Sequence, residues 1–384
     1  MSAFEFATAT EIVFGRGRVR ELGKRVAALG RRILFVTGAN PARVRPVLES
    51  AGLGPAKVAE IAIRGEPTTG EIEHGVAVAR EAKADLVIAV GGGSSLDGAK
   101  AIAILATNPG EPLDYLEVVG RGKALTEPSL PCVLVPTTAG TGAEVTKNAV
   151  LAVESARVKV SLRSPFMLPR LALVDSELTH GVPPDVTAAT GLDALTQVLE
   201  PYVSTARGPL TDALALEGLR RSSRSLERAF RDGSDADARE DLALTSLFGG
   251  LCLANAKLGA VHGLAGPLGG ALRAPHGALC ARLLPEVMRL NLARARAEGA
   301  AWLVERYTDV ARALTGQSEA AAEAGVARVR ELVEALGIPR LGAFGFAPDR
   351  GEEIAERARV SSSMKGNPIE LTKVELLDLL ERAS

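Results

Sequence analysis

Short runs of consecutive apolar residues alternate with longer helical stretches through the first half of the chain. ILFVT (33–37) follows Arg31-Arg32 and gives way to Gly38-Ala39-Asn40-Pro41 and an amphipathic stretch ending near Ser50. KVAEIAI (57–63) leads through Gly65-Glu66-Pro67 into a helix reaching about Lys83. ADLVIAV (84–90) enters GGGSSLDGAKAIAILA, CVLVP (132–136) enters TTAGTGAEVT, and LALVD (171–175) is a fifth run. Strands this apolar are buried on both faces, which predicts a parallel sheet covered by crossover helices. From about Pro183 the strand signals stop. Helical spacing runs through 185–203, 207–231, 238–258, 283–299, 300–315, 317–336 and 370–383, interrupted by Gly and Pro. The expected organisation is an α/β domain with a parallel sheet over 1–180 and an all-helical domain over 181–384, with the boundary near 176–185. Such a pair commonly leaves a ligand-binding cleft.

Composition narrows the class without naming it. A chain of 384 residues, 47% hydrophobic and 24% charged, has room for two globular cores. Its formal charge of −1 gives no general pull on nucleic acid or acidic membranes. No run approaches the ~18 apolar residues of a membrane span, and MSAFEFATATEIVFGRG lacks the basic and apolar regions of a signal peptide. Cys132, Cys252 and Cys280 are odd in number and sit among apolar neighbours, so they read as buried thiols rather than a disulfide frame or a catalytic thiol. A cytoplasmic protein is expected.

Two loops carry the first chemistry. The run 84–90 ends in Gly91-Gly92-Gly93-Ser94-Ser95, directly before a helix. Three glycines let backbone approach a ligand, and the helix start offers unpaired N–H groups to a diphosphate. Asp97, in the first turn, would cap N–H groups or touch a ribose hydroxyl. The second loop, Pro136-Thr137-Thr138-Ala139-Gly140-Thr141-Gly142-Ala143-Glu144, offers hydroxyls to a phosphate or a nicotinamide ribose. Two such loops on one sheet edge fit a dinucleotide spanning a strand crossover. Neither loop matches G-x-G-x-x-G, and no P-loop motif occurs.

GGGSSLDGAKAIA (91–103), PTTAGTGAEVTKNAV (136–150), ATGLDALTQVLEPYVS (189–204), LGAVHGLAGPLGG (258–270) and APHGALCARLLPEVM (274–288) resemble the iron-containing alcohol dehydrogenase family, which has the dehydroquinate synthase-like fold. The match runs from an N-terminal hairpin at about 4–15 to Asn367-Pro368. The resemblance implies a diphosphate on Gly92, Gly93 and Ser94, Thr137, Thr138 and Thr141 near the nucleotide, and Lys159 near the nicotinamide ribose. It also gives the turn holding Gly38 and Asn40 a part in cofactor choice. NAD-selective members often carry an acidic residue at position 38. Gly38 cannot repel a 2′-phosphate and Arg43 would favour one, so the cofactor is NADP or NAD.

The family holds a divalent metal on one Asp and three His. Asp193, His262 and His276 match three of these positions, and Gln197 stands where the first His belongs. Asp193 and Gln197, four apart on one helix, leave the same face. An amide oxygen is a weaker partner for iron or zinc than imidazole, so the site is altered. Gly266 also replaces a second His, usually assigned a proton relay. The expected activity is alcohol–carbonyl interconversion, run as a carbonyl reductase. Either a metal or donors among His262, His276 and the Gln197 amide would stabilise the substrate oxygen. The alternatives are an oxo-acid reductase similar to maleylacetate reductase, with Lys365, Arg163 or Arg273 holding carboxylate, a sugar-phosphate cyclase, and a non-catalytic nucleotide-binding protein. By analogy the chain is a homodimer or larger, pairing through its N-terminal hairpin.

Overall fold

The apolar runs become strands. In a computed structural model that describes residues 3–50, 52–53, 58–116, 119–156, 158–272 and 274–384, these are β1 (Ile12–Phe14), β2 (Ile33–Thr37), β3 (Val58–Ala62), β4 (Leu86–Gly91), β5 (Cys132–Pro136), β6 (Asn148–Val153), β7 (Val158–Arg163) and β8 (Leu171–Val174). Arg273 and the side chain of Arg43 lie outside the described residues. One sheet is ordered β1-β8-β5-β4-β2-β3, with every pair parallel. Alternation within the runs feeds two cores. Leu34, Val36, Val87, Ala89 and Leu134 pack on one face, and Ile33, Phe35, Leu86, Ile88, Val90 and Val133 on the other.

Short helices α1 (Leu22–Val26) and α2 (Arg45–Ser50) come first, followed by α3 (Thr69–Glu81), α4 (Gly93–Thr107) and α5 (Pro112–Tyr115). A reciprocal Thr68–Glu71 capping box starts α3. The chain steps from β2 outward to β3, then back to β4 on the other side of β2. The strand order therefore reverses between β2 and β4, one strand away from the β4–β5 pair that the two loops suggested.

Residues 3–11 form no strand, and β1 runs parallel to β8 in the register Ile12↔Ala172. The expected N-terminal hairpin does not form within the chain among the described residues. The only antiparallel pair among the described residues is β6 with β7.

The second unit is helical: α6 (Pro184–Val203), α7 (Pro209–Arg231), α8 (Ala236–Asn255), α9 (Ala260–Ala271), α10 (His276–Ala297), α11 (Ala301–Thr315), α12 (Ala322–Ala335), α13 (Gly351–Arg359) and α14 (Lys373–Ala383). It also takes in the chain up to Ala7 and residues 139–141, while 8–138 and 142–179 form the α/β unit. Ala7 bonds to the Asn255 amide and Ala139 packs into the helical core, which ties these pieces to the helices. Helix α10 begins seven residues before the expected start at 283 and carries Pro285 inside it. No single helix among the described residues is long and apolar enough to cross a membrane.

Candidate active site

In the α/β unit, Gly92 caps α4 in extended conformation without any side-chain cap. Its carbonyl accepts from Ser95 and Leu96, and, as a glycine, it brings no side chain to cap the first N–H groups of the helix. A Cβ on Gly91 would lie 2.6 Å from Ser95 Oγ and 3.5 Å from the Gly38 nitrogen, so only glycine lets this corner close. Thr137 N–H donates to the Gly91 carbonyl (2.9 Å), and Thr138 Oγ1 lies 3.4 Å from where a Gly92 Cβ would stand. Gly38, Gly92, Gly93, Ser94, Thr137 and Thr138 thus gather at the carboxyl ends of β2, β4 and β5, where the strand order reverses. Ligands of open α/β sheets bind at such a point.

The other residues expected at the nucleotide have these surroundings. Asn40 is exposed before a short 3₁₀ turn, and Thr141 belongs to the helical unit. Lys159 pairs with Glu66 at 3.0 Å. Asp97 does not cap its own helix: its carboxylate accepts from Val150 N–H (2.9 Å) and pairs with Lys100 (3.0 Å). The buried Lys100 ammonium also donates to the Ala143 carbonyl and Thr146 Oγ1, each at 2.8 Å. This network pins β6 to α4.

The second constellation lies wholly in the helical unit. Asp193, Gln197 and Glu200 fall at i, i+4 and i+7 on α6 and are all buried. His262 is the third residue of α9; His276 opens α10 with Cys280 one turn later. A Cβ on Gly277 would sit 2.2 Å from the Ala189 carbonyl, so glycine lets the start of α10 close on α6 and brings His276 to Asp193. One donor atom each from Asp193, His262, His276 and Cys280 lies within 4.8 Å of the others. His262 Nε2 is 3.4 Å and His276 Nε2 4.0 Å from Asp193 Oδ1, and Cys280 Sγ is 3.5 Å from His276 Nε2. Donors bound at 2.0–2.3 Å to one tetrahedral ion lie about 3.3–3.7 Å apart, so the set is close to what a metal requires. Asp193 Oδ1 is buried without a hydrogen-bond partner, which further fits a cation there.

Glu200 completes the arrangement. It accepts from Val261 N–H (2.7 Å) and meets His262 Nδ1 at 2.6 Å, which leaves Nε2 toward Asp193. Carboxylates commonly hold metal-binding imidazoles in this way. Burial opposes charge on His262, but the Cys280 sulfur, Asp193 and Glu200 outweigh it and lift the ring well above the usual imidazole range. The Cys280 sulfur, against burial, raises His276 to about 9. Burial also opposes ionisation of Asp193, yet the two histidines hold its carboxyl below the ordinary value.

Three of the four expected metal-site residues therefore converge. Gln197 donates its amide nitrogen to the Gly140 carbonyl (3.0 Å), and its oxygen is buried without a partner. That nitrogen is committed and is not the free donor to a substrate oxygen that the metal-free route assumed. A Cβ on Gly266 would meet nothing within 4 Å, so the position of the missing imidazole is open. Lys365 and Arg163 are exposed. Sequence reasoning passed over Cys280 and Glu200. Both signals were present, as an i+4 spacing from His276 and an i+7 spacing from Asp193.

Comparison with known proteins gives the family. Residues 9–176 match the iron-containing alcohol dehydrogenase family, and residues 187–384 match the Fe-containing alcohol dehydrogenase family, C-terminal. The long-chain-alcohol dehydrogenase 1 of Geobacillus thermodenitrificans is 41% identical over 325 residues, covering 83% of this chain and 80% of that protein. Lactaldehyde reductase of Escherichia coli is 36% identical over 383 residues, covering 96% and 97%. The crystal structure of a 1,3-propanediol oxidoreductase superposes with a TM-score of 0.91 at 32% identity, covering all of both chains. The chain belongs to the iron-containing alcohol dehydrogenase family. It is an enzyme of alcohol–aldehyde oxidoreduction, a family chemistry typically run with NAD(P) and a metal. The comparisons do not favour the oxo-acid reductase, cyclase or non-catalytic readings.

Proposed function

We propose that this enzyme reduces aldehydes or ketones with NADPH or NADH, using a divalent metal on Asp193, His262 and His276. The observation that carries the reading is the convergence of these three donors around a buried carboxylate oxygen that has no other partner. Gly92, Gly93 and Ser94, at the positive start of α4, would hold the nucleotide diphosphate. Thr137 and Thr138 would line the remaining nucleotide, and Lys159 would reach it on leaving Glu66. Gly38, with Asn40 two residues on, brings no carboxylate against a 2′-phosphate, so both cofactors are accepted. Glu200 keeps the Nδ1 proton of His262 and turns Nε2 inward. When bound, the ion supplies a Lewis acid that stabilises charge on the substrate oxygen, and the nicotinamide supplies the hydride. Gln197 offers its oxygen on the Asp193 face as an acceptor.

The test is oxidation of NADPH and NADH by chelator-stripped protein against a panel of aldehydes and oxo-acids, with and without added Fe²⁺ or Zn²⁺. Turnover restored by metal is the expected result; full turnover by the stripped protein removes the metal from the mechanism. We further propose a homodimer or larger assembly, which light scattering would check, and a cytoplasmic setting, which suits three free, buried cysteines.

A further inference from the structure

We infer that Cys280 is a metal ligand in this chain, supplying a thiolate in compensation for the imidazole that Gln197 lacks, and that the site consequently selects zinc over iron. The inference rests on the metal-assisted reading above and goes beyond it in naming a fourth donor and the class of ion. Cys280 follows His276 by four residues on α10, so both side chains leave one helix face, and their donor atoms are 3.5 Å apart. A metal-binding pair at this spacing on one helix is a common arrangement. Across from them stands Asp193, 3% exposed, with its Oδ1 unpartnered.

Gln197 is the competing candidate for the fourth position. Its nitrogen is held by the Gly140 carbonyl, and it presents only a neutral oxygen. A thiolate adds a negative charge and a soft donor that this oxygen cannot match. Carboxylate, imidazole and thiolate are all donors that zinc takes, the ion expanding to five-coordinate to accept the substrate oxygen, and a soft sulfur donor favours zinc. On binding, the thiol proton is released to solvent and the sulfur lone pair forms the bond, with no change in oxidation state.

Cobalt(II) makes the sulfur visible. Stripped full-length protein reloaded with Co²⁺ is expected to show a strong near-ultraviolet sulfur-to-cobalt charge-transfer band. Cys280→Ser should lose that band, and zinc affinity, measured by competition with a chromophoric chelator, should fall on the order of tenfold or more. Gln197→Ala should keep the band. Cobalt bound by the parent protein without the band overturns the inference. If that protein still needs metal for turnover, the reading of the previous section stands with Cys280 outside it. No cobalt uptake, together with turnover by stripped protein, removes both.

Discussion

Glu200 decides which nitrogen of His262 faces the other donors, because its carboxylate takes the Nδ1 side at 2.6 Å. Glu200→Gln keeps the volume and removes the charge, so metal affinity measured by chelator competition should fall about 10–100-fold. Unchanged affinity would reduce Glu200 to a packing residue. Gly266 permits the opposite experiment. The space above it is open, and glycine inside a helix costs up to about 1 kcal/mol. Gly266→His should therefore fold with equal or slightly higher thermal stability. It should also give the pH–rate profile a limb in the imidazole range that the parent lacks. A profile that superposes on the parent's would show that position 266 transfers no proton in this chain. At this scale Asp193, His262 and His276 were legible because each sits in a recognisable motif. Cys280 was not, because its apolar neighbours described burial correctly and hid the fact that the buried space is shared with two imidazoles and a carboxylate.

The elements explain that omission. With α10 expected to begin at 283, His276 and Cys280 stand outside any expected helix, and a spacing of four has meaning only on one. Proline is favoured near a helix start, yet α10 carries Pro285 ten residues in. The central strands were readable as continuous apolar runs, whereas β6 alternates buried and half-buried positions through NAVLAV, and this period of two was passed over. What holds that strand is also invisible to periodicity: Lys100, inside an apolar helix, reaches Asp97 and the Ala143 carbonyl. Lys100→Met should strip Asp97 of its cation and cost about 3–5 kcal/mol in denaturant unfolding. The double variant with Asp97→Asn should cost clearly less than the two single changes added together, because each single change leaves the other group without its counter-charge. Additive losses would mean that the pair does not act as a unit.

For the whole molecule, proton binding and metal binding act on stability with opposite signs. Burial raises the Glu144 carboxyl in the α/β unit from its ordinary 4.5 to about 7. A carboxyl raised on folding binds its proton more tightly in the native state. Its favourable contribution is therefore complete below about pH 4.5, declines with rising pH, and is lost above about pH 7. At about 1.4 kcal/mol per pH unit, the full span is worth about 3 kcal/mol. In the helical unit a bound ion does the reverse, since imidazole and thiol donors must shed protons to hold it and its stabilisation grows with pH. Urea unfolding of stripped and zinc-loaded protein between about pH 5 and 8 should separate the two effects. The stripped protein should weaken as pH rises, through Glu144 between about pH 5 and 7 and through the raised His262 and His276 above about pH 6.5, and Glu144→Gln should remove the lower part of that decline while approaching the parent at the acid end. The gap between loaded and stripped protein should widen over the same range. A parallel decline in the Gln variant would assign the slope to another group, and a gap that ignores pH would mean that the ion is not held by donors that lose protons.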